Sequence, residues 1–170
     1  ADRAPGEFYQ LDFEMSFAEQ EAVLNILEEI FTTIFKKHTN WEMTNTPFPR
    51  IPYREAMEKY GSDKPDLRNP LIIQDVTKLF ENIEFNAFKD KTVKAIVVPN
   101  GAEQGRKFFD KMTEFATTDE VGAKGLAWTK FEKDGVVQGG IAKFITEEAK
   151  TKLENEFGVK AGDSIFFIAD

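Results

Sequence analysis

The sequence predicts an α+β protein in which helices pack against a β-sheet. Apolar residues recur at every second position in some segments, as in strands, and at every third or fourth position in others, as in helices. Over residues 71–170 these segments follow one another as ββαββα with a closing strand, which predicts a two-layer α/β sandwich with an antiparallel or mixed sheet. Hydrophobic residues make up 41% and charged residues 31% of the chain, an ordinary composition for a globular protein.

The first predicted element is a strand over residues 7–17, whose side chains alternate in polarity. One face would hold five apolar residues: Tyr9, Leu11, Phe13, Met15 and Phe17. The other face would hold Phe8, Gln10, Asp12, Glu14 and Ser16. This second face is either the solvated side of an edge strand or a site for a ligand with a flat ring and a cationic group. In the second case Phe8 would stack on the ring and Asp12 would bind the cation.

A long helix is predicted over residues 17–38. Ser16 and Glu19 have the spacing of a capping box, in which both side chains accept hydrogen bonds from free backbone amides. Apolar residues recur at three- and four-residue spacing along the segment, and residues 36–38 are basic, which suits the C-terminal end of a helix. His38 is the only histidine, which excludes a site with several histidine ligands.

Residues 45–70 are predicted to hold one short helix between two irregular segments. Three prolines between residues 45 and 53 forbid regular helix there. The helix would run over residues 53–60 and end at Gly61 as its C-cap. Residues 61–70 contain four charged residues and read as a turn-rich connection.

Two hairpins are predicted in the rest of the chain, after a short helix capped by Asp75. The first would pair strands 83–88 and 93–99. The second would pair strands 126–132 and 136–144 around an Asp-Gly turn.

Two more helices and a last strand complete the prediction. A helix over residues 101–120 would turn its apolar residues toward the core, namely Phe108, Phe109, Met112 and Phe115. The other helix, over residues 146–158, would begin at Thr146 as N-cap. A strand over residues 164–170 follows it.

Composition and motifs exclude several kinds of site. The chain has no cysteine, hence no disulfide or thiolate ligand, and its net charge of −8 argues against a free-standing nucleic-acid binder. No glycine-rich phosphate loop or calcium loop occurs, and no metal site is predicted. No basic-then-apolar leader opens the sequence and no apolar run reaches the roughly 20 residues of a membrane span, so we expect a cytoplasmic protein.

Three segments carry a resemblance to a known family. The stretch DRAPGEFYQLDFEMSF, residues 2–17, resembles the second half of motif 2 of class II aminoacyl-tRNA synthetases, in particular the aspartyl enzymes. FPRIPYREAMEKYGSDKPDLRNPL, residues 48–71, resembles the segment after motif 2 in bacterial-type aspartyl-tRNA synthetases. Residues 72–170 resemble the GAD insertion domain of those enzymes, including GLAW (125–128), GGIAKF (139–144) and GDSIFFIAD (162–170).

The resemblance implies a domain organisation and an activity. Residues 1–70 would be part of a class II catalytic domain, and residues 71–170 a GAD-type insertion domain. The longer protein would be an aspartate–tRNA ligase, homodimeric like the family, which activates aspartate with ATP and Mg²⁺ and transfers it to tRNA. The chain would start after the motif 2 arginine and stop before motif 3, so we expect the isolated chain to be inactive and to hold no cofactor.

The resemblance also assigns site residues. Phe8 would stack on the adenine of ATP, and Arg3 would lie in the motif 2 loop near ATP and the acceptor end of tRNA. Asp12 would hold the amino group of aspartate, with Gln10 beside it and Glu14 in a supporting role. Because activation is an in-line displacement, positioning and charge stabilisation are expected to dominate, and no catalytic residue is assigned.

The sequence departs from the family at one point and is ambiguous at another. Many members have Gln-Pro-Glu-Phe where residues 4–8 read Ala-Pro-Gly-Glu-Phe, so the loop is one residue longer and lacks a polar contact to ATP. Lys64 and Arg68 lie where the family passes near the entering tRNA end. The same segment also fits a solvated turn in which its two aspartates only cap backbone amides.

Two alternatives to a ligase segment stay open at this point. Residues 72–170 would form a non-catalytic α+β interaction module that contacts tRNA or a protein. Alternatively, the first 68 residues would be partly rearranged in a folded chain, and the strand over residues 7–17 would lack its sheet. The sequence also leaves open whether the ligase charges only the aspartate tRNA or the asparagine tRNA as well.

Overall fold

The computed structural model describes residues 6–43, 45–81, 83 and 85–170. The chain forms two compact units, of which one ends at Arg50 and the other begins at Ile51. No helix of the described part is both long enough and apolar enough to cross a membrane. The boundary at residues 70 and 71 between a catalytic segment and an insertion domain stays a prediction.

The first unit is built around one long helix, α1 (Gln20–His38). It begins later than predicted, because Phe17 has a left-handed φ of 56° and turns the chain before the helix. The predicted capping box is wrong, since Glu19 and not Ser16 is the N-cap and no side chain caps the helix start. At the other end the amide and the hydroxyl of Thr39 both donate to the carbonyl four residues earlier, at 3.1 and 2.9 Å.

The predicted strand over residues 7–17 is wrong. Residues 6–15 lie outside any helix or strand, and all of them are exposed. No strand among the described residues pairs with this segment, and an unpaired strand leaves its backbone amides and carbonyls without ladder partners. Tyr9 and Leu11, which were expected on a buried face, are therefore largely exposed.

The apolar face of α1 is only partly covered. None of its residues is buried, and Phe31 exposes 47% of its surface. The proline-containing segment after the helix returns to it through polar contacts. The Phe48 amide donates to Glu28 Oε1 at 2.7 Å, and Arg50 lies 3.6 Å from the Glu21 carboxylate and 3.8 Å from that of Glu28. These contacts fix the segment on a helix whose apolar face stays half open.

The second unit begins with α2 (Tyr53–Tyr60), which ends at Gly61 in a left-handed conformation with φ 67°, as predicted. The helices and strands that follow are β1 (Ile73–Asp75), α3 (Thr77–Phe80), β2 (Val93–Val98), α4 (Arg106–Ala116), β3 (Ala127–Phe131), β4 (Val137–Gln138), α5 (Glu147–Phe157) and β5 (Ser164–Ala169). Two 3₁₀ turns, Gly101–Glu103 and Ala142–Phe144, precede α4 and α5.

The strands form one antiparallel sheet in the order β1-β2-β5-β3-β4. β5 is central, and Phe167 on it lies opposite Ala95 of β2 and Ala127 of β3. Helices and an antiparallel sheet confirm the predicted α+β class. On one face, Phe167 packs edge to face against Phe80 of α3, with 5.5 Å between ring centroids, and Leu153 of α5 belongs to the same buried cluster.

The opposite face of the sheet is covered by α4. Phe109 is fully buried there and stacks on Trp128 and Phe166, with centroid distances of 4.2 and 5.5 Å. Successive residues of a strand point to opposite faces, so Phe166 and Phe167 anchor different layers. The two long helices of this unit, α4 and α5, therefore lie on opposite faces of the sheet. The α+β class is confirmed, but the predicted two-layer arrangement is wrong.

The predicted first hairpin is wrong. The described residues between 83 and 88 form turns, in which the Phe85 amide donates to the Ile83 carbonyl at 2.8 Å and the Phe88 amide to the Phe85 carbonyl at 2.9 Å. The two phenylalanines meet edge to face at 4.7 Å and pack into the core, so their three-residue spacing fits a turn. β2 pairs instead with β5 and with β1, which is only three residues long and was not predicted.

The later elements follow the prediction more closely. The predicted helix over residues 101–120 is a 3₁₀ turn followed by the shorter α4, and Phe115 is 59% exposed rather than in the core. The second hairpin is confirmed with shorter strands, and so are α5 and β5. Thr146 caps α5 by accepting from the Ala149 amide at 3.1 Å. Asp75 accepts from the Thr77 amide at 3.0 Å at the start of α3, but the N-cap residue is Val76 and not Asp75.

Candidate functional site

The predicted substrate residues lie on the exposed segment before α1. Phe8 exposes 68% of its surface, and Gln10, Asp12 and Glu14 are exposed as well. Arg3 lies outside the described residues. None of the hydrogen bonds and ion pairs found among the described residues uses the side chains of Gln10, Asp12 or Glu14. Among the described residues these groups are therefore exposed and uncommitted.

A cleft of about 500 Å³ in the first unit lies elsewhere. It runs along α1 and is lined by Asn25, Glu28, Glu29, Thr32, Thr33, Thr46 and Pro47. Its walls are polar and acidic, which suits neither an adenine ring nor a phosphate. The predicted site on residues 8–14 and this cleft share no residue, so the cleft is not the site that the sequence predicts.

Lys64 and Arg68 are both held in local ion pairs on an exposed turn. Lys64 Nζ lies 2.7 Å from Asp63 Oδ2. Arg68 binds Asp66 through two side-chain contacts of 2.8 and 2.6 Å, and its amide donates to the same carboxylate at 3.0 Å. The Arg68 side chain and amide lower the pKa of Asp66 to about 2. Because neighbouring carboxylates already neutralise both cations, this geometry favours the interpretation as a solvated turn over a phosphate contact.

The described residues do not build a magnesium site. Nowhere in the described part do three or more histidine, aspartate or glutamate side chains gather closely enough to hold an ion. Asp12 and Glu14 lie on an exposed segment and belong to no such group. The described residues therefore do not fit the magnesium ion that the resemblance implies.

The second unit carries a cleft with basic residues at its edge. The cleft has a volume of about 430 Å³ and is lined by Arg106, Trp128, Lys130, Gln138, Gly139 and Gly140. The Lys130 ammonium donates to the carbonyls of Ala102 and Gln104 at 2.9 and 2.6 Å and lies 5.0 Å from the centroid of Phe109. Lys130 is therefore fixed in place, and it has no carboxylate partner in the described part of the chain. Isolated basic residues on a strand and at a helix start form no motif, so sequence reasoning did not single them out.

Trp128 in that cleft is a packing residue and not an open stacking surface. Phe109 covers one side of its ring at 4.2 Å. A Cβ built on Gly139 would lie 2.5 Å from Trp128 Cζ3, so the Gly139 backbone packs directly against the ring. Trp128 therefore packs against both Phe109 of α4 and the Gly139 backbone.

Comparison with known proteins places the whole chain in one family. Residues 1–169 match the family described as tRNA synthetases class II (D, K and N). The chain is 50% identical over 167 residues to the aspartate–tRNA ligase of Streptomyces coelicolor, which covers 98% of this chain and 28% of that protein. It is 50% identical over 175 aligned residues to the aspartate–tRNA(Asp/Asn) ligase of Wolbachia pipientis subsp. Culex pipiens, covering 100% and 29%.

A third relative gives the same picture. The aspartate–tRNA(Asp/Asn) ligase of Rickettsia prowazekii is 47% identical over 175 aligned residues, which cover all of this chain and 29% of that protein. The chain thus spans less than a third of the length of the curated relatives it matches. Since the family match runs over nearly every residue, the chain belongs to the class II tRNA synthetases of the D, K and N group.

Proposed function

We propose that this chain is a segment of an aspartate–tRNA ligase that contributes part of the substrate site and an insertion domain. The observation that carries the proposal is an identity of 46–51% along essentially the whole chain to relatives that bear this name. These relatives include an aspartate–tRNA ligase and an aspartate–tRNA(Asp/Asn) ligase. We therefore propose the activation of aspartate with ATP and its transfer to tRNA, without assigning which of the two tRNAs is charged.

Residues 8–14 would serve this reaction through two kinds of contact. Phe8 would stack on adenine, because a flat aromatic face complements a heterocycle, with Arg3 near the phosphates. Asp12 would bind the ammonium group of aspartate by a charge-assisted hydrogen bond, with Gln10 and Glu14 as supporting groups. Their exposure and lack of partners in the described structure support this assignment, since no internal contact has to break before a ligand binds.

The segment alone would not make a working site. Substrate activation depends on groups held in place around the reacting atoms, and residues 6–15 are exposed and unpaired here. We expect the 170-residue chain to catalyse no aspartate-dependent exchange of pyrophosphate into ATP. Turnover clearly above a no-aspartate control would contradict this part of the proposal.

A chimeric ligase that contains this chain (the graft) tests whether the chain supplies functional site residues. The 167 matching residues of the Streptomyces coelicolor ligase would be replaced by this chain. We expect the graft to catalyse aspartate-dependent pyrophosphate exchange and to form aspartyl-tRNA, because this chain would then supply its site residues within the rest of the enzyme. A folded graft without either activity would overturn the proposal. Sedimentation of the same graft tests the homodimer that the family resemblance implies.

The second unit offers a further candidate function as an interaction module. Residues 51–170 form their own compact unit around a buried core. Arg106 and Lys130 line one cleft; Arg106 lies 3.7 Å from Asp110, whereas Lys130 has no carboxylate partner among the described residues. Such a module would contact tRNA phosphates. A titration of the chain with tRNA between low and physiological salt tests this, since direct phosphate contacts give an affinity that falls steeply with salt. A flat dependence would count against it.

A further inference from the structure

Asn100 and Gly101 form the only Asn-Gly pair in the chain. In such a pair the backbone nitrogen of the glycine attacks the side-chain carbonyl carbon of the asparagine and expels ammonia, which gives a five-membered succinimide. Water then opens this ring at either carbonyl and leaves aspartate or isoaspartate. Glycine makes the attack easier than any other residue, because it has no Cβ to hinder the rotation that the ring requires.

The native backbone holds this pair in a conformation that cannot react. Asn100 is exposed and left-handed, with φ 56° and ψ 17°. Ring closure needs the Asn100 Cβ and the Gly101 nitrogen on the same side of the Asn100 Cα–C bond. At a ψ of 17° the Gly101 nitrogen lies near the Asn100 nitrogen and on the side away from Cβ. The turn must therefore open and rotate before the attack can occur.

Asp163 is the group that holds the turn closed. This carboxylate is only 6% exposed, and its Oδ1 accepts from the Asn100 amide at 3.0 Å while Oδ2 accepts from the Lys160 amide at 2.9 Å. Two residues after Asn100, the Ala102 amide donates to the Gly162 carbonyl at 2.9 Å. These two contacts lie on opposite sides of the Asn100 Cα–C bond. Rotation about that bond moves the Gly101 peptide relative to the Asn100 amide, so both contacts cannot be kept at once.

Gly101 adds a steric restraint. It is buried, and a Cβ at this position would collide with the Ser164 side chain and lie 3.2 Å from Val98 Cγ1. The space between the turn and β5 therefore admits only the native glycine backbone. An isoaspartyl linkage would add a methylene group to the main chain at this point, and the turn could not close over it again.

We propose that Asn100–Gly101 is a deamidation site of this chain, that the closed turn protects it, and that Asp163 sets the rate by controlling how often the turn opens. Conversion to isoaspartate then makes a transient opening permanent, because the isoaspartyl product does not fit between Val98 and Ser164. The reaction consumes one water and releases one ammonia, and needs no other reactant.

The test follows the Asn100 peptide of the full 170-residue chain by mass spectrometry during incubation above neutral pH. We expect at least about a tenfold slower conversion in the folded chain than in the same chain in urea, since local opening limits the folded rate. Asp163→Ala should raise the folded rate several-fold while leaving the rate in urea unchanged. Equal rates in folded and urea-unfolded wild-type chain would overturn the proposal.

A matched variant separates local opening from general loss of stability. Leu153→Ala removes a buried side chain of α5 in the core on the face of the sheet opposite α4, and Leu153→Val is a milder substitute if that variant does not fold. We expect a folded variant of this kind to keep the wild-type rate at Asn100. If it accelerates deamidation as much as Asp163→Ala does at matched stability, Asp163 has no specific role and the proposal fails.

Discussion

Gly101 packs directly against Ser164, with no room for a Cβ between the 3₁₀ turn and the central strand. The Ser164 hydroxyl is fully buried and is the one buried side-chain polar atom of the described residues that lacks a hydrogen-bond partner. A serine at this point thus carries an unsatisfied group, and its neighbour has to be glycine. The relationship ties the turn after β2 to the start of β5.

The first prediction tests that contact by a double-mutant cycle in urea denaturation. Gly101→Ala should lower the free energy of unfolding by about 1–3 kcal/mol, as overpacked sites do. Ser164→Ala should leave it unchanged or raise it by about 1 kcal/mol, because it removes a buried hydroxyl without a partner. Gly101→Ala should then cost less in the Ser164→Ala background than in the wild type. Additive effects would show that the two residues do not share the space.

A second prediction concerns Gly139, which has φ 121° and lies against Trp128. Gly139→Ala should destabilise the chain by about 2 kcal/mol or more, since a Cβ would both strain the backbone and overlap the indole ring. Gly122→Ala is the matched control, because Gly122 also has a positive φ, 72°, but has no atom within 4 Å of a built Cβ. Similar losses of unfolding free energy in the two variants would mean that the ring contact contributes nothing.

A third prediction concerns acid stability. The Thr77 side chain and amide, together with the Lys94 ammonium, lower the pKa of Asp75 to about 2. The carboxylate is charged in the fold at a pH where the unfolded chain binds a proton, so its stabilisation is present above about pH 4 and is lost as the pH falls toward 2. Asp75→Asn should therefore make the free energy of unfolding less dependent on pH in that window. The change should be well below the free energy that corresponds to the full pKa shift, because the Asp75 side chain is half exposed and solvent screens its charge.

Asp119→Asn is the control for that measurement, because Asp119 is exposed and lies outside the helices and strands. It should leave the free energy of unfolding at neutral pH close to that of the wild type, so it measures the effect of losing one exposed surface carboxylate. An acid branch that is equally steep with and without Asp75 would contradict the prediction.

A fourth prediction concerns the segment before α1. Amides of residues 7–15 should exchange hydrogen at rates close to those of an unfolded peptide in the 170-residue chain, because they form no ladder. Amides of β5 should be protected, since this strand is paired on both sides. In the ligase graft the same residues 7–15 should become protected. Strong protection in the isolated chain would contradict the structure of the first unit.

Local signals made α2, α5 and β5 predictable from the sequence. Gly61 and Gly158 supply the left-handed residue that ends α2 and α5, and Thr146 supplies the side chain that starts α5. These features act within a few residues and need no distant partner. The same holds for the Asp-Gly turn of the second hairpin.

The failures come from elements that depend on distant partners. Alternation over residues 7–17 shows two faces but cannot show whether a neighbouring strand is available, and among the described residues none is. Residues 83–88 are apolar enough for a strand, yet Phe85 and Phe88 reach the core from a turn. The candidate site could not be predicted from residue pattern for the same reason. Its residues are assigned by family resemblance, and they come together only if residues 7–17 join a sheet, which they do not do in the described part of this chain.

The kinetics of the ligase graft with Asp12→Asn test the central claim most directly. In aspartate-dependent pyrophosphate exchange, we expect this variant to lose about tenfold or more in kcat/KM for aspartate, the loss expected when a hydrogen bond between charged groups is removed, while the KM for ATP stays close to that of the graft. Asp119→Asn in the same graft should change neither constant. If Asp12→Asn retains the kcat/KM of the unmodified graft for aspartate, Asp12 does not bind the amino acid and the proposed site is wrong.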